Sequence, residues 1–413
     1  MRASSGVLPG KRRKVPSSRI GTTRRQEVAE IAGELAAEQA EQADGADSVD
    51  GTGHRPPARP VLADLGLGRQ RRRGAVWLLG LSVLLVLSVL LGVGVGAVGI
   101  APAAVARIIA HHVLGTPGEV TWSLPQDAIV WQVRLPRVLL GAVVGAGLAV
   151  CGTVLQAMVR NLLADPYLLG INSGASSGAA AAILFGFGAA WGENALPFSA
   201  FLGALAASLL VFLIARSGGR VTSVRLLLSG VAVGYALSAA TSFLIFASDS
   251  AEGSRSVMFW LLGSLGLARW GTALSVVVIV VGLTVALLTL WGRRLDALAI
   301  GDETAHTLGI SPDRFRTQLL LLVSLCIGVL VAASGSIGFV GLVVPHLARR
   351  LVGAPHSRAV PVAALLGAIF LIWADALART VMQPQELPLG IITSLVGAPF
   401  LLVLIRRLHV TSA

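Results

Sequence analysis

The chain is 413 residues long, 54% hydrophobic and only 13% charged, where a soluble domain carries about 25% charged residues. Its mean hydropathy of +0.78 excludes an ordinary soluble enzyme and describes a polytopic membrane protein. The net charge of +12 would suggest nucleic acid in a soluble chain, but here the basic residues flank apolar runs and set orientation instead.

Residues 1–73 form a polar extension, and 74–413 form the membrane part. The extension opens basic (Lys11, Arg12, Arg13, Lys14) and turns acidic, with Glu27, Glu30, Glu34, Glu38 and Glu41 at three- and four-residue spacing. No apolar face accompanies those acids, so disorder is expected. The first apolar run begins only after Arg69, Arg71, Arg72 and Arg73, which is not the layout of a cleavable signal.

Runs of about 20 apolar residues can cross the hydrocarbon. The pattern predicts ten crossings, at 76–99, 136–158, 168–190, 195–215, 226–247, 272–292, 316–334, 337–351, 359–379 and 388–407. A further helix over Val257–Leu267 is expected to lie at the surface. Arginines crowd alternate loops: Arg216, Arg220 and Arg225; Arg293, Arg294, Arg314 and Arg316; Arg349, Arg350 and Arg358. With Arg69–Arg73 and the terminal Arg406 and Arg407, these predict that both termini are cytoplasmic in a plasma-membrane protein.

Glycines recur every fourth position, at Gly141 and Gly145, at Gly170, Gly174 and Gly178, and at Gly230 and Gly234. On helices these make flat stripes for close packing, or line a path. Cys151 and Cys326 both lie in apolar runs and imply no disulfide framework.

Several polar residues interrupt the apolar pattern. Gln156 and Asn161, near the inner end of the second crossing, either line a gate or bond between helices. Asp165, ahead of Pro166, is placed to cap a helix. Asp375 lies within the ninth crossing, where a carboxylate is costly and marks either function or a buried pair. His346 reads as a packed histidine, and the adjacent His111 and His112 lack metal-site spacing, so no metal is expected.

The segment Gly301-Asp302-Glu303-Thr304-Ala305-His306-Thr307-Leu308-Gly309 is a polar, helix-permissive insert between two crossings. Its acids fall in a first turn, where the helix dipole favours them, and Gly309 is a natural stop. It serves either as a solvated connector or as a lever for a soluble engine. No Gly-x-x-x-x-Gly-Lys-Ser/Thr phosphate loop occurs, and the only lysines are Lys11 and Lys14. Nucleotide chemistry would therefore sit on another polypeptide.

An ordered set of motifs resembles the FecCD-type permeases of ATP-binding-cassette importers. The set is Arg134-Leu135-Pro136-Arg137, Leu155-Gln156 with Asn161 through Pro166, Gly301-Asp302-Glu303 through Leu308-Gly309, Gly335 through His346, Ala374-Asp375 with Arg379, and Glu386-Leu387-Pro388-Leu389-Gly390 leading to Gly397-Ala398-Pro399-Phe400. One departure is Leu162, where the family usually has proline. The resemblance implies an all-α fold of about ten transmembrane helices in the type II importer arrangement. It implies a coupling helix made by Gly301, Asp302, Glu303, Ala305, Leu308 and Gly309, seated on an ATPase subunit. Arg134, Arg137 and Arg379 are then expected on the outer side, receiving acids of a substrate-binding protein, with Gln156 and Asn161 near the gate.

The same resemblance implies a second permease chain, a cytoplasmic ATPase dimer, an extracytoplasmic binding protein and lipid as partners, and no nucleic acid. This chain would bind no cofactor, with ATP-Mg held by the partner ATPase, and would not itself be an enzyme. Ferric siderophore is the expected cargo, with cobalamin or haem as the alternatives. A reading of a different class is a secondary transporter driven by an ion gradient, for which Asp375 is the lone candidate carboxylate.

Overall fold

The computed structural model describes residues 67–116, 118, 120–216 and 222–410, and its regular elements are all helical. The expected extension lies outside the described residues except for Leu67–Arg73, which open the first helix, and so does Arg220. In chain order come α1 (Leu67–Gly94), α2 (Pro102–Leu114) and α3 (Leu124–Ala128), which runs through a π-helical turn (Ile129–Arg134) into α4 (Leu135–Val159). Next are α5 (Ile171–Phe185), α6 (Ala195–Arg216), α7 (Ser223–Phe246), α8 (Ala251–Leu261) and α9 (Thr272–Leu290). The last part holds α10 (Gly292–Ile300), α11 (Asp302–Thr307), α12 (Pro312–Ser334), α13 (Val340–Val352), α14 (His356–Thr380) and α15 (Leu389–Val410).

Among the described residues, 7 helical runs are long and apolar enough to cross a bilayer. They are Arg72–Gly94, Leu124–Val159, Ala189–Arg216, Ser223–Phe246, Thr272–Leu290, Pro312–Ser334 and His356–Thr380. The other three expected crossings also fall on helices, but with shorter apolar stretches. α5 has 15 residues because Gly170 and Gly186, both left-handed, bound it at either end. α13 has 13 residues because the chain from Gly335 to Phe339 is not helical, and Phe339 itself takes a left-handed φ of 68°. In α15 the apolar stretch is Leu389–Leu404.

Local chemistry explains the other boundaries that differ from expectation. The second crossing starts twelve residues early, at Leu124, because Ser123 and Gln126 form a capping box there. Pro136 has no N–H to give, and the wide turn just ahead of it, where the Leu135 N–H reaches back to the Val130 carbonyl, carries the helix through. The surface helix sits at Ala251–Leu261, earlier than expected, since Ser250 caps its start by accepting from the Gly253 N–H. It stops before Gly263, whose φ of 76° suits no other residue well.

α4 is the central rod. Its apolar window is 78% buried within the chain, against 22% for those of α1 and α7. It packs against α14, α13, α9 and α12, while α5 packs between α6 and α7. Lipid tails are as apolar as these side chains, so close approach must come from small residues rather than from hydrophobic exclusion. The glycine stripes supply it. A Cβ on Gly145 would lie 2.1 Å from the Gly367 carbonyl oxygen on α14, and one on Gly152 would lie 1.9 Å from that of Gly341 on α13. Gly174 and Gly178 bring α5 equally close to Gly203 and Ser199 on α6. Cys151 and Cys326 are buried free thiols in the same core.

Candidate functional site

Two charge clusters mark opposite ends of α4. The first gathers at its start. The Arg137 guanidinium donates from Nε to Asp375 Oδ1 at 3.0 Å and from Nη1 to Glu386 Oε1 at 3.0 Å. Arg379, one turn beyond Asp375 on α14, forms an ion pair with it, Nε to Oδ2 at 3.0 Å, and donates from Nε to its backbone carbonyl at 3.4 Å. Asp375 is 1% exposed and Glu386 50% exposed, so one carboxylate is sealed and the other faces out. A carboxylate at this depth is tolerated because two guanidinium groups neutralise it.

Arg134 and Arg379 also serve α1. The last turn of a helix leaves carbonyls without partners, and its negative end attracts cations. Arg134 Nη1 donates to the carbonyls of Val93 and Gly94 at 3.1 and 3.2 Å, and Nη2 to that of Val98 at 2.6 Å. Arg379 donates to the carbonyls of Gly92 and Val95 at 3.0 and 2.9 Å. All three expected docking arginines are thus buried, and each is held by partners within the chain.

The second cluster closes the other end. Arg160 ends α4 in a left-handed conformation and pairs with Asp302 in the first turn of α11. Its Nε also donates to the Leu298 carbonyl of α10 at 3.2 Å. Arg316, 3% exposed in the first turns of α12, grips Asp302 with two bonds of 2.8 and 3.0 Å. Burial pushes the Asp302 carboxyl upward, but the hydrogen bonds and charge of Arg316, joined by the charge of Arg160, outweigh it and hold the group below its ordinary range. The remaining members of the expected coupling segment divide by exposure. Gly301 is half-buried and Ala305 buried, whereas Glu303, Leu308 and Gly309 are exposed, Leu308 by 64%.

The inner turn of α4 is fixed by amides. Gln156 donates to the carbonyls of Gly341 and Leu342 at 3.4 and 3.3 Å and accepts from Arg349, joining α4 to α13. Asn161 is exposed and shapes the following turn, its side-chain oxygen accepting from the Leu163 N–H at 2.9 Å. Asp165 caps the short helix Pro166–Leu169 by accepting from the Tyr167 N–H. The Tyr167 hydroxyl then both donates to the Ile337 carbonyl and accepts from the Ile337 N–H, each at 3.0 Å.

His346 stands edge-on to Phe400 with ring centroids 6.0 Å apart. His112 pairs with Asp127 at 3.0 Å and stacks on Trp131. Among the described residues no group of three or more His, Cys, Asp or Glu is placed to hold a metal ion.

Glu386 stands in a sequence motif that gives it no role, and the contacts of Arg160, Arg316, Arg349 and Tyr167 are announced by no motif at all. Arg160 carries one readable signal: it is the first charge after 22 uncharged residues, where an apolar helix must end. These clusters move no bond. They fix helix ends to one another, which suits an element that transmits position.

The FecCD transport family matches residues 84–407. The chain is 44% identical, over 69% of its length and 76% of the relative, to the cobalamin import system permease protein BtuC of Halobacterium salinarum. It is 43% identical, over 69% of its length and 86% of the relative, to the hemin transport system permease protein HmuU of Yersinia pestis. The Fe(3+)-citrate import system permease protein YfmD of Bacillus subtilis is 40% identical over 68% of this chain and 82% of the relative. A metal-chelate type ABC transporter solved in an inward-facing conformation aligns over 80% of this chain and 98% of its own, with a TM-score of 0.69 and 34% identity.

Proposed function

This chain belongs to the FecCD transport family and is the permease subunit of an ABC importer, and from that premise we propose that it carries ferric siderophores by alternating access. The observation that carries the mechanism is α11: a short helix at the arginine-rich end, with Glu303 and Leu308 exposed beside an internally bound Asp302. A separate ATPase subunit seats on that exposed face, and its closure on ATP moves the helices that Asp302 touches. Both termini and α11 are cytoplasmic in this reading. In this reading the segments that carry Arg225, Arg293, Arg314, Arg349 and Arg358 are cytoplasmic too, as the positive-inside bias requires.

The opposite end receives the binding protein. Arg137 is itself buried, and it would take an acid of the binding protein by exchanging its half-exposed partner, Glu386. Complementary charge there sets docking register and speed more than affinity. In this reading Gln156 and Asn161 stand beside the cytoplasmic gate, Gln156 by holding α4 to α13 there. A second copy of this chain, or a close paralogue, completes the path.

Iron chelates are our choice of cargo among relatives that include an Fe(3+)-citrate permease as well as cobalamin and hemin permeases. An ion-gradient carrier would need a carboxylate open to the conduction path, and Asp375 is instead 1% exposed and clasped by two guanidiniums. The test is reconstitution with the ATPase and binding protein, comparing uptake of radiolabelled ferric siderophore, cobalamin and haem. ATP-driven siderophore uptake is expected. With Glu303→Lys the ATPase partner should hydrolyse ATP without uptake, the variant remaining inserted. Uptake of cobalamin or haem alone would replace the cargo, and normal uptake by Glu303→Lys would remove the coupling role from α11.

A further inference from the structure

We infer that Arg160, Asp302 and Arg316 form a clamp that carries the position of α11 into α4 and α12, so that Asp302 acts as a positioning residue and not as a contact for the ATPase. The inference rests on the coupling reading of α11 above. It asks what happens to a push once α11 has received it.

Three observations point to the clamp. Asp302 engages both carboxylate oxygens with arginines of its own chain, one on each of two long helices. With both oxygens taken, the carboxylate offers little to a partner even at 44% exposure, whereas the neighbouring Glu303 is exposed. Arg160 adds a second attachment, since its Nε bonds the Leu298 carbonyl at the end of α10. The pieces α10, α11, α4 and α12 therefore meet through two arginine side chains around one carboxylate.

Geometry gives that meeting point its reach. Arg160 is the residue at which α4 ends, with its own N–H bonded back to the Gln156 carbonyl. Gln156 in turn holds α13 through the Gly341 and Leu342 carbonyls. Displacing Asp302 thus drags the end of the most buried helix in the bundle, together with the α13 segment tied to it. α11 has only 6 residues and little packing of its own, so without these charge-assisted bonds it could shift while α4 stayed still. Coupling of two sites needs such an element, one whose placement both sites bias.

The test uses the full chain co-purified with its ATPase partner in nanodiscs of phosphatidylethanolamine and phosphatidylglycerol, with Mg-ATP and vanadate as the probe. No cargo is required. Hydrogen exchange is followed in peptides covering 301–310 and 155–165. Trapping nucleotide on the wild type is expected to change exchange in both. In Asp302→Asn the response at 301–310 should remain while that at 155–165 is lost, and Asp302→Glu should restore it. Arg160→Gln, which leaves Arg316 holding α11, should show the same loss.

The failures are separable. A wild type that responds at neither peptide sinks the coupling reading itself. A response at 155–165 that survives in both Asp302→Asn and Arg160→Gln overturns the clamp and leaves coupling intact. Loss of both responses in both variants would mean that these residues only keep α11 folded, which also overturns the clamp.

Discussion

Arg137 and Asp375 stand 238 positions apart in sequence and meet between α4 and α14, where Arg137 Nε donates to both carboxylate oxygens at 3.0 and 3.2 Å. Asp375 is also the partner of Arg379, so removing it would leave Arg379 with backbone carbonyls alone and Arg137 with only the half-exposed Glu386. Breaking a buried pair from one side costs roughly 3–5 kcal/mol, most of it the uncompensated charge. Asp375→Ala should lower the thermal stability of the purified chain by that order. Glu386→Gln removes a half-exposed partner of the same arginine and should cost less than about 1 kcal/mol. Fluorescence-detected melting in detergent separates the two, and equal losses would show that Asp375 is not the anchor of the cluster.

The α4–α13 contact makes an independent prediction. Adding a Cβ at Gly152 places it 1.9 Å from the Gly341 oxygen, which is backbone and cannot swing away. The helices must part, and overpacking of this kind costs about 1–3 kcal/mol. A methyl group added at Gly282 on α9 would have nothing within 4 Å, so that position serves as the control. Gly152→Ala should melt below the wild type and Gly282→Ala should not. Matching behaviour in the two would mean that α4 and α13 tolerate separation.

Much of this architecture is legible in the sequence because hydrophobic length and small-residue spacing are local signals. The runs at 195–215, 226–247 and 272–292 correspond to α6, α7 and α9 with shifts of a few residues at their ends. The stripe Gly174 and Gly178 does bring two backbones together, as its four-residue period implies. What stays hidden is pairing at long range. The place of Asp302 in a first turn is readable, but nothing in its neighbourhood names Arg160, 142 positions earlier.

Arg134 and Arg137 show a different obstacle. Spacing of three puts both on one helix face, yet a shared face does not give them a shared partner. Arg134 is sent to the α1 carbonyls and Arg137 to Asp375 and Glu386. Burial of those guanidiniums is not readable from charges that look like exceptions to the orientation bias.

Tyr167 offers a test of the turn before α13. Its hydroxyl satisfies both the N–H and the carbonyl of Ile337, in a stretch with no helix or strand of its own. Tyr167→Phe leaves both groups without that partner, and a buried group so stranded costs about 1–3 kcal/mol. Faster hydrogen exchange at Ile337, with exchange in α5 and α14 unchanged, is the expected result. Uniform loosening of the whole bundle would assign Tyr167 a broader packing role.

The Asp302 cluster predicts how acid acts on α11. Burial raises this carboxyl, while Arg316 and then Arg160 lower it further than burial raises it, so the folded value lies below the unfolded one. A group lowered in the folded state stabilises at pH above its unfolded value, about 3.9 for aspartate, and that contribution fades as pH falls through the folded value. Protection of residues 301–309 should therefore hold steady from about pH 8 to about pH 5 and weaken only in stronger acid. Asp302 is 44% exposed, so solvent and salt screen the pair, and raising the ionic strength should shrink the effect. Asp302→Asn should start with less protection at neutral pH and lose little more on acidification. A variant that follows the wild-type acid profile would remove the Asp302 cluster as the source of the dependence.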